Sequence, residues 1–215
     1  MSKNLIFVGA GGYFNELYDY LCDDLENGRY TDVNLKGIIA EIVPNDDVAL
    51  PFLSLLNDYE IQQDDLFLIA IGQTAARKRI FDYLANKGGR FLTYIHHTAL
   101  VSKSASVGEG AIVCPYTIVN AQAVVGRNCS VNVHCSLGHE SVLGQHTVVS
   151  PYSALNGNAK VGENCFIGTR TTIFPKIEVG SLVTIDSHTA VRSNIESKMI
   201  VTSSVKTAAT KNRFL

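Results

Sequence analysis

The chain has no excess of charge of either sign. Among its 215 residues Lys and Arg number 18 and Asp and Glu 20, for a net charge of −2. Nucleic-acid binding needs a basic face that neutralises phosphates, so that class of partner is excluded. The chain also lacks any apolar run near the ~20 residues that span a bilayer. Its longest, such as Leu66-Phe67-Leu68-Ile69-Ala70-Ile71, are strand-length, so no membrane association is expected. The opening Met1-Ser2-Lys3-Asn4 runs into a short apolar segment ending in glycines. Without an h-region or a small-residue cleavage site it does not read as a signal peptide, and the expected location is cytoplasmic. The five cysteines (Cys22, Cys114, Cys129, Cys135 and Cys165) form no C-x-x-C pair and are odd in number. They read as small core residues rather than a disulfide framework. Hydrophobic residues make up 46% and charged ones 18%, the reverse of a disordered composition.

What is present divides near residue 98. Residues 1–97 read as an α/β unit. Leu5-Ile6-Phe7-Val8 is a buried strand and Gly9-Ala10-Gly11-Gly12 a turn. Phe14, Leu17, Tyr18, Leu21 and Leu25 then recur at helical spacing. Further strands are expected at Gly37-Ile38-Ile39, Leu66–Ile71 and Phe91–Ile95, and a second helix over Ala75–Leu84. Strands alternating with helices predict a parallel sheet.

Residues 98–215 follow a different rule. Every sixth residue from Val101 to Val191 is Val, Leu or Ile, sixteen positions in one unbroken register. Two residues before it there is usually a small one, as at Ala111, Cys129, Thr147 and Cys165. A glycine often follows, as at Gly108, Gly126, Gly144 and Gly162. A period of six fits a solenoid of three short strands per coil, about 18 residues each, wound as a triangular prism. The aliphatic residue fills the interior, the small residue sits where the chain crowds inward, and the glycine is expected to supply backbone angles at a corner. Cys129 and Cys165, two coils apart, should share one inner face.

This register resembles the hexapeptide repeat of left-handed parallel β-helix acyltransferases. The order of parts narrows the likeness. Val8-Gly9-Ala10-Gly11-Gly12, then Ala70-Ile71-Gly72-Gln73-Thr74-Ala75-Ala76-Arg77, then the repeat, is similar to a bacterial family of nucleotide-sugar N-acetyltransferases and sialic acid O-acetyltransferases. The resemblance implies an N-terminal Rossmann-like domain that holds a nucleotide-linked amino sugar, followed by a left-handed β-helix that carries the acyltransferase. It implies acetyl-CoA as cosubstrate, no metal, and a homotrimer with sites at the subunit seams. The matching acceptor-binding positions are Gly11, Gly12, Tyr13, Ala40, Glu41, Gly72 and Ala75; those for acetyl-CoA are Gly144, Thr169 and Ser187. Tyr13-Phe14 stand where the family often has His-Gly, and Ala40 where it often has an acid. A third fingerprint glycine is missing at Phe14, which argues against a nicotinamide dinucleotide. Arg77 could pair with a phosphate or simply be a solvated charge.

Of six histidines, His139 stands out. It follows Leu137 by two and so falls at a turn, pointing outward. His139-Glu140, followed by Leu143-Gly144, matches the family's I-x-H-[DE]-x-x-I-G segment residue for residue. The resemblance makes His139 the general base and Glu140 the carboxylate that orients it. Acetyl transfer from a thioester to an amine needs a proton acceptor, and an imidazole is available neutral at cytoplasmic pH. A carboxylate on its other nitrogen raises its basicity. The second family histidine is replaced by Val148. Four readings of the function stay open: N-acetylation of the 4-amino group of a nucleotide-linked sugar, sialic acid O-acetylation, a trimeric metal enzyme of the carbonic anhydrase type using His97, His134 and His139, and a non-catalytic nucleotide-sensing scaffold.

Overall fold

The computed structural model describes residues 2–44 and 48–203. The end of the expected second domain, from 204 on, therefore lies outside the described residues.

The N-terminal unit is a parallel sheet of four strands with two helices. β1 (Lys3–Val8), β2 (Val33–Ala40), β3 (Phe52–Leu55) and β4 (Asp65–Ile69) line up in the order β3-β2-β1-β4. Helix α1 (Gly12–Glu26) follows β1, and α2 (Thr74–Asn86) follows β4. Both helices bury residues at helical spacing: Phe14, Leu17 and Leu21 on α1, Ile80, Phe81 and Leu84 on α2. β3 is not anticipated by the sequence reading. Its four residues are only partly buried at the sheet edge, so they show no run of core aliphatics.

The expected last strand, Phe91–Ile95, is divided. Phe91 makes a single bridge to Phe67. Tyr94–Ile95 instead pairs with Ile112–Val113 and forms the first rung of the solenoid. The crossover carries the chain from one sheet to the other within three residues.

The solenoid has three parallel faces. The first, seven-stranded, starts at Tyr94–Ile95 and runs through Ile112–Val113, Ser130–Val131, Val148–Val149, Phe166–Ile167 and Thr184–Ile185 to Ile200–Val201. The second, six-stranded, starts at Leu100–Val101 and includes Ser136–Leu137; the third, five-stranded, starts at Ser106–Val107 and includes Val142–Leu143. Partners are 18 residues apart, as in Ser136↔Ala154 and Val142↔Lys160, until the last rung, where Thr184 pairs with Ile200. Each of the sixteen register aliphatics is the second residue of a two-residue strand, and together they form one continuous core.

The small inward residues also stitch coils together. Thr147 Oγ1 donates to the Gly162 carbonyl at 2.9 Å, Cys129 Sγ to Gly144 at 3.0 Å and Cys165 Sγ to Gly180 at 3.1 Å. Burial pushes the Cys129 thiol up to about 12 and Cys135 to about 11, so these sulfurs remain protonated donors. The reading as core residues holds for Cys114, Cys129, Cys135 and Cys165, whereas Cys22 is only partly buried.

The expected role of the register glycines does not hold. The left-handed angles at the corners fall on other residues, such as Tyr116, Gln122, Asn128, His134, Glu140 and His146, with φ between 53° and 61°. Gly126 is needed for a different reason: a Cβ there would lie 2.6 Å from the Gln145 amide nitrogen of the next coil. Close approach of stacked backbones, not φ, demands glycine at that position.

Candidate active site

Three vertices join the faces. The first, between faces one and two, carries Tyr116, His134, Tyr152, Arg170 and His188 at its left-handed positions; the second, between faces two and three, carries Gln122, Glu140, Asn158 and Lys176; the third, between faces three and one, carries Asn128, His146, Asn164 and Leu182. The N-terminal unit sits against the first face. Its core runs without a break from Phe7, Phe14 and Leu17 into Tyr94, Ile112 and Cys114 of the solenoid. Tyr94, Ile112, Ser130 and Val148 are thereby buried, whereas Phe166 is partly exposed and Ile200 largely so.

Two polar clamps hold this junction. Beside the first vertex, buried Asp24 of α1 accepts from the Tyr94 hydroxyl at 2.8 Å and from the His97 amide at 2.9 Å, and its Oδ1 lies 2.9 Å from His97 Nδ1. Beside the third vertex, Arg77 of α2 is fully buried. Its guanidinium donates to the carbonyls of Ile69 (2.5 Å) and Ile71 in the sheet unit, and of Asn128 (2.8 Å), Gly110 and Cys129 in the solenoid. Arg77 is therefore neither a phosphate ligand nor a solvated charge. It is a bolt between the two units, and its partners are backbone carbonyls that no side-chain pattern announces. Its neighbour Asn128 donates through Nδ2 to the Arg77 carbonyl and lies 2.8 Å from Nδ1 of buried His146. Burial pushes His146 down to about 4, so its ring is neutral.

The residues expected to hold the acceptor converge in part. Gly11, Gly12, Tyr13, Ala40, Glu41 and Gly72 line one cavity of about 390 Å³ at the ends of β1, β2 and β4. A Cβ at Gly11, Gly12 or Gly72 would meet nothing within 4 Å, so these glycines leave backbone open toward the cavity. Tyr13 turns its hydroxyl away, to Ser130 Oγ at 2.5 Å, and helps fasten the junction. Glu41 pairs with Arg79 at 2.8 Å, and that hydrogen bond lowers the carboxyl's pKa. Ala75, exposed in the first turn of α2, is not among the lining residues.

His139 and Glu140 stand together at the second vertex, both exposed. His139 Nδ1 lies 3.0 Å from Glu140 Oε2, and Asn158 Nδ2 donates to the same oxygen at 3.3 Å. The hydrogen bond from His139, then that from Asn158, holds the Glu140 carboxyl below its usual range. With Nδ1–H on the carboxylate, Nε2 carries the free lone pair of a base. The remaining candidates are scattered. Thr169 and Ser187 are successive residues of the first vertex, one coil apart. Gly144 lies at the third, against the Gly162 backbone.

The other histidines are engaged elsewhere. His134 is stacked between Tyr116 and Tyr152, with ring centroids 5.0 and 4.8 Å away. His97 is clamped by Asp24, so His97, His134 and His139 do not meet within one chain. Among the described residues the one group able to hold a metal is Asp23, His96 and His97, whose ligand atoms lie within 4.8 Å of one another. Val148, at the place of the family's second histidine, is buried on the first face.

Known proteins agree with this architecture. No protein-family model matches the chain. UDP-N-acetylbacillosamine N-acetyltransferase of Bacillus subtilis (strain 168) is 31% identical over 116 residues, 52% of this chain and 51% of that protein. The match thus spans about half the length of that relative. The acetyltransferase domain of PglB from Neisseria gonorrhoeae FA1090, solved with acetyl coenzyme A, superposes with a TM-score of 0.81 at 25% identity, covering 94% of this chain and 97% of that one. A variant of GDP-perosamine N-acetyl transferase from Caulobacter crescentus, solved with CoA and GDP-perosamine, gives 0.84 at 21% identity over 93% of each chain. By fold along nearly its whole length, and by sequence over half of it, this chain is similar to the sugar N-acetyltransferases whose hexapeptide repeat its own register resembles.

Proposed function

We propose that the protein transfers the acetyl group of acetyl-CoA to the 4-amino group of a nucleotide-linked amino sugar, in the cytoplasm. The observation that carries this reading is the His139–Glu140 pair: an exposed imidazole whose Nδ1 is held by a carboxylate at 3.0 Å, on a solenoid of acetyltransferase type. His139 Nε2 accepts the amine proton as the new C–N bond forms and the C–S bond of the thioester breaks; the proton goes on to the leaving thiolate. Glu140 keeps the ring in the tautomer with Nε2 free and stabilises the imidazolium. The N-terminal unit serves as a Rossmann-like domain whose glycine-lined cavity takes the nucleotide, and the solenoid is a left-handed β-helix. Thr169, Ser187 and the Gly144 backbone are assigned to acetyl-CoA.

Where these parts lie supports assembly as a homotrimer. The N-terminal unit covers the first face, and His139 stands at the vertex opposite that face. A second copy is needed to bring a base to the acceptor cavity. The outward column of the second face supports this: Leu100, Ile118, Ser136, Ala154, Thr172 and Ala190 carry no charge, and Leu100 is 65% exposed. The third face, by contrast, is laced by a Lys160–Glu178 ion pair at 2.9 Å. Such an interface should bury more than ~1,000 Å² per pair.

The test is thiol release from acetyl-CoA with a panel of nucleotide-linked 4-amino sugars and, in parallel, sialic acid. Release only with the amines supports the reading. Release only with sialic acid replaces it by O-acetylation, and release with neither removes it.

A further inference from the structure

The turns of the solenoid share one template. From Glu109 to Ser187, the residue two after each register aliphatic is Glu, Pro, Ala, Arg, Val, His, Gln, Thr or Ser, and it is glycine once, at Gly157. The position thus accepts charged, β-branched and proline side chains alike. Gly157 does not have a left-handed φ either. Nothing in the fold asks for glycine there.

The neighbouring coil does. Gly157 lies one coil beyond His139, and the imidazole rests over it. A Cβ on Gly157 would fall 2.7 Å from His139 Cε1 and 3.0 Å from Cδ2, and closer still to Nε2. At Gly108, Gly126 and Gly138 the same Cβ would meet backbone; at Gly157 its three nearest atoms all belong to this ring. Carbon atoms in contact sit ~3.5–4.0 Å apart, so even a methyl group would push the ring away by about an ångström.

We propose that Gly157 is a positioning residue for His139, seconded by Asn158. It rests on the reading of His139 as the base. Glu140 holds one edge of the ring, Asn158 steadies Glu140, and the bare Cα of Gly157 lets the other edge lie down on the next coil. An exposed side chain is thereby confined to one orientation, with Nε2 beside the Gly157 backbone, where the amine must arrive. Misplacing a reacting group by ~1 Å can cost about 10²-fold.

The experiment is a double-mutant cycle on the full-length protein. Gly157→Ala should lower kcat by about 10–100-fold. Thermal unfolding and acetyl-CoA affinity, measured by direct titration, should stay as in wild type. In the His139→Ala background the methyl has room, and Gly157→Ala should cost nothing further. Asn158→Ala should give a smaller loss of kcat that also disappears in that background. Wild-type turnover in Gly157→Ala overturns the proposal while leaving the base assignment standing. An equal loss in both backgrounds also overturns it, since the methyl then acts on the fold or on the acetyl-CoA path. If His139→Ala itself turns over normally, the base assignment fails and takes this inference with it.

Discussion

The second and third vertices of the solenoid carry histidines from the same coil, seven residues apart, and treat them in opposite ways. His139 is 64% exposed at its side chain, has a carboxylate on Nδ1 and keeps Nε2 free. His146 is 1% exposed, lies edge-on to Phe81 with ring centroids 5.4 Å apart, and takes a hydrogen bond from Asn128. Both turns are left-handed, but His146 takes the left-handed position itself, whereas His139 stands one residue before it and Glu140 takes that place. What differs besides is what stands one coil away and what the N-terminal unit covers. At the second vertex the neighbours are Asn158 and Gly157, and nothing from β1–β4 or the helices reaches it. At the third, α2 lies across the turn and removes water. One vertex thus carries the pair proposed for proton transfer, and the other holds two units together. In a repeat protein the role of a residue is set by the column it stands in.

The strongest way to break this comparison is to exchange outcomes between the two histidines. His139→Ala should leave the solenoid folded, because Leu137 and Leu143 remain in the core, and should lower turnover by roughly 10²–10⁴-fold. Acetyl-CoA affinity should change little. A variant at His146 with the activity loss and a silent His139→Ala would move the site to the third vertex.

Arg77→Met comes next and acts on stability. It removes the donor shared by carbonyls of both units and should cost about 3–5 kcal/mol, from buried acceptors left without partners. Denaturant unfolding measures it. A loss below about 1 kcal/mol would show that the bolt is dispensable.

The pH dependence of stability sharpens the contrast at the third vertex. His146 is held neutral, pushed down to about 4, while an unfolded chain returns it to about 6.5. Between those values the unfolded state binds the extra proton. Stability from this group is therefore complete above about pH 6.5 and is lost as pH falls toward 4, by about 3 kcal/mol at the low end. His146→Gln, which retains an acceptor for Asn128, should flatten that part of the curve. An unchanged slope would assign the acid sensitivity to other groups.

The smallest effect belongs to the N-terminal cavity. Gly12→Leu projects a side chain into open space, so the fold should tolerate it and the acceptor's KM should rise several-fold, with the KM of acetyl-CoA unchanged. Equal rises for both substrates would deny the division of duties between the units.

Much of this was legible in the residues alone, for a reason that also explains the rest. The register from Val101 to Val191 is visible because one inward position recurs every six residues, and His139-Glu140 because the two are adjacent in the chain. Gly157 could have been found the same way, by counting one coil of 18 forward from His139. The bolt at Arg77 could not: its partners are main-chain carbonyls, identical at every residue. The strand at Tyr94–Ile95 was misassigned because an apolar pair reads the same whether it ends one sheet or begins another. Thr169 and Ser187 share a column by the same count, while Gly144 stands in a different one.

The unbroken core between Phe14 and Ile112 has a consequence for how the molecule comes apart. A solenoid's stability is a sum of coil energies and nearest-neighbour couplings, so a bare end frays first. Here one end is welded to a sheet and two helices, while within one chain and among the described residues the coils beyond Phe166 pair with their neighbouring coils alone. Opening should therefore progress from Ile200–Val201 back toward the junction, and the first coils should unfold only together with the N-terminal unit. Amide protons would then exchange in a gradient along the prism, slowest where Tyr94 and Ile112 lie beneath α1. The second vertex at His139 stands midway on that gradient, in the part of the prism that persists after the far coils have opened.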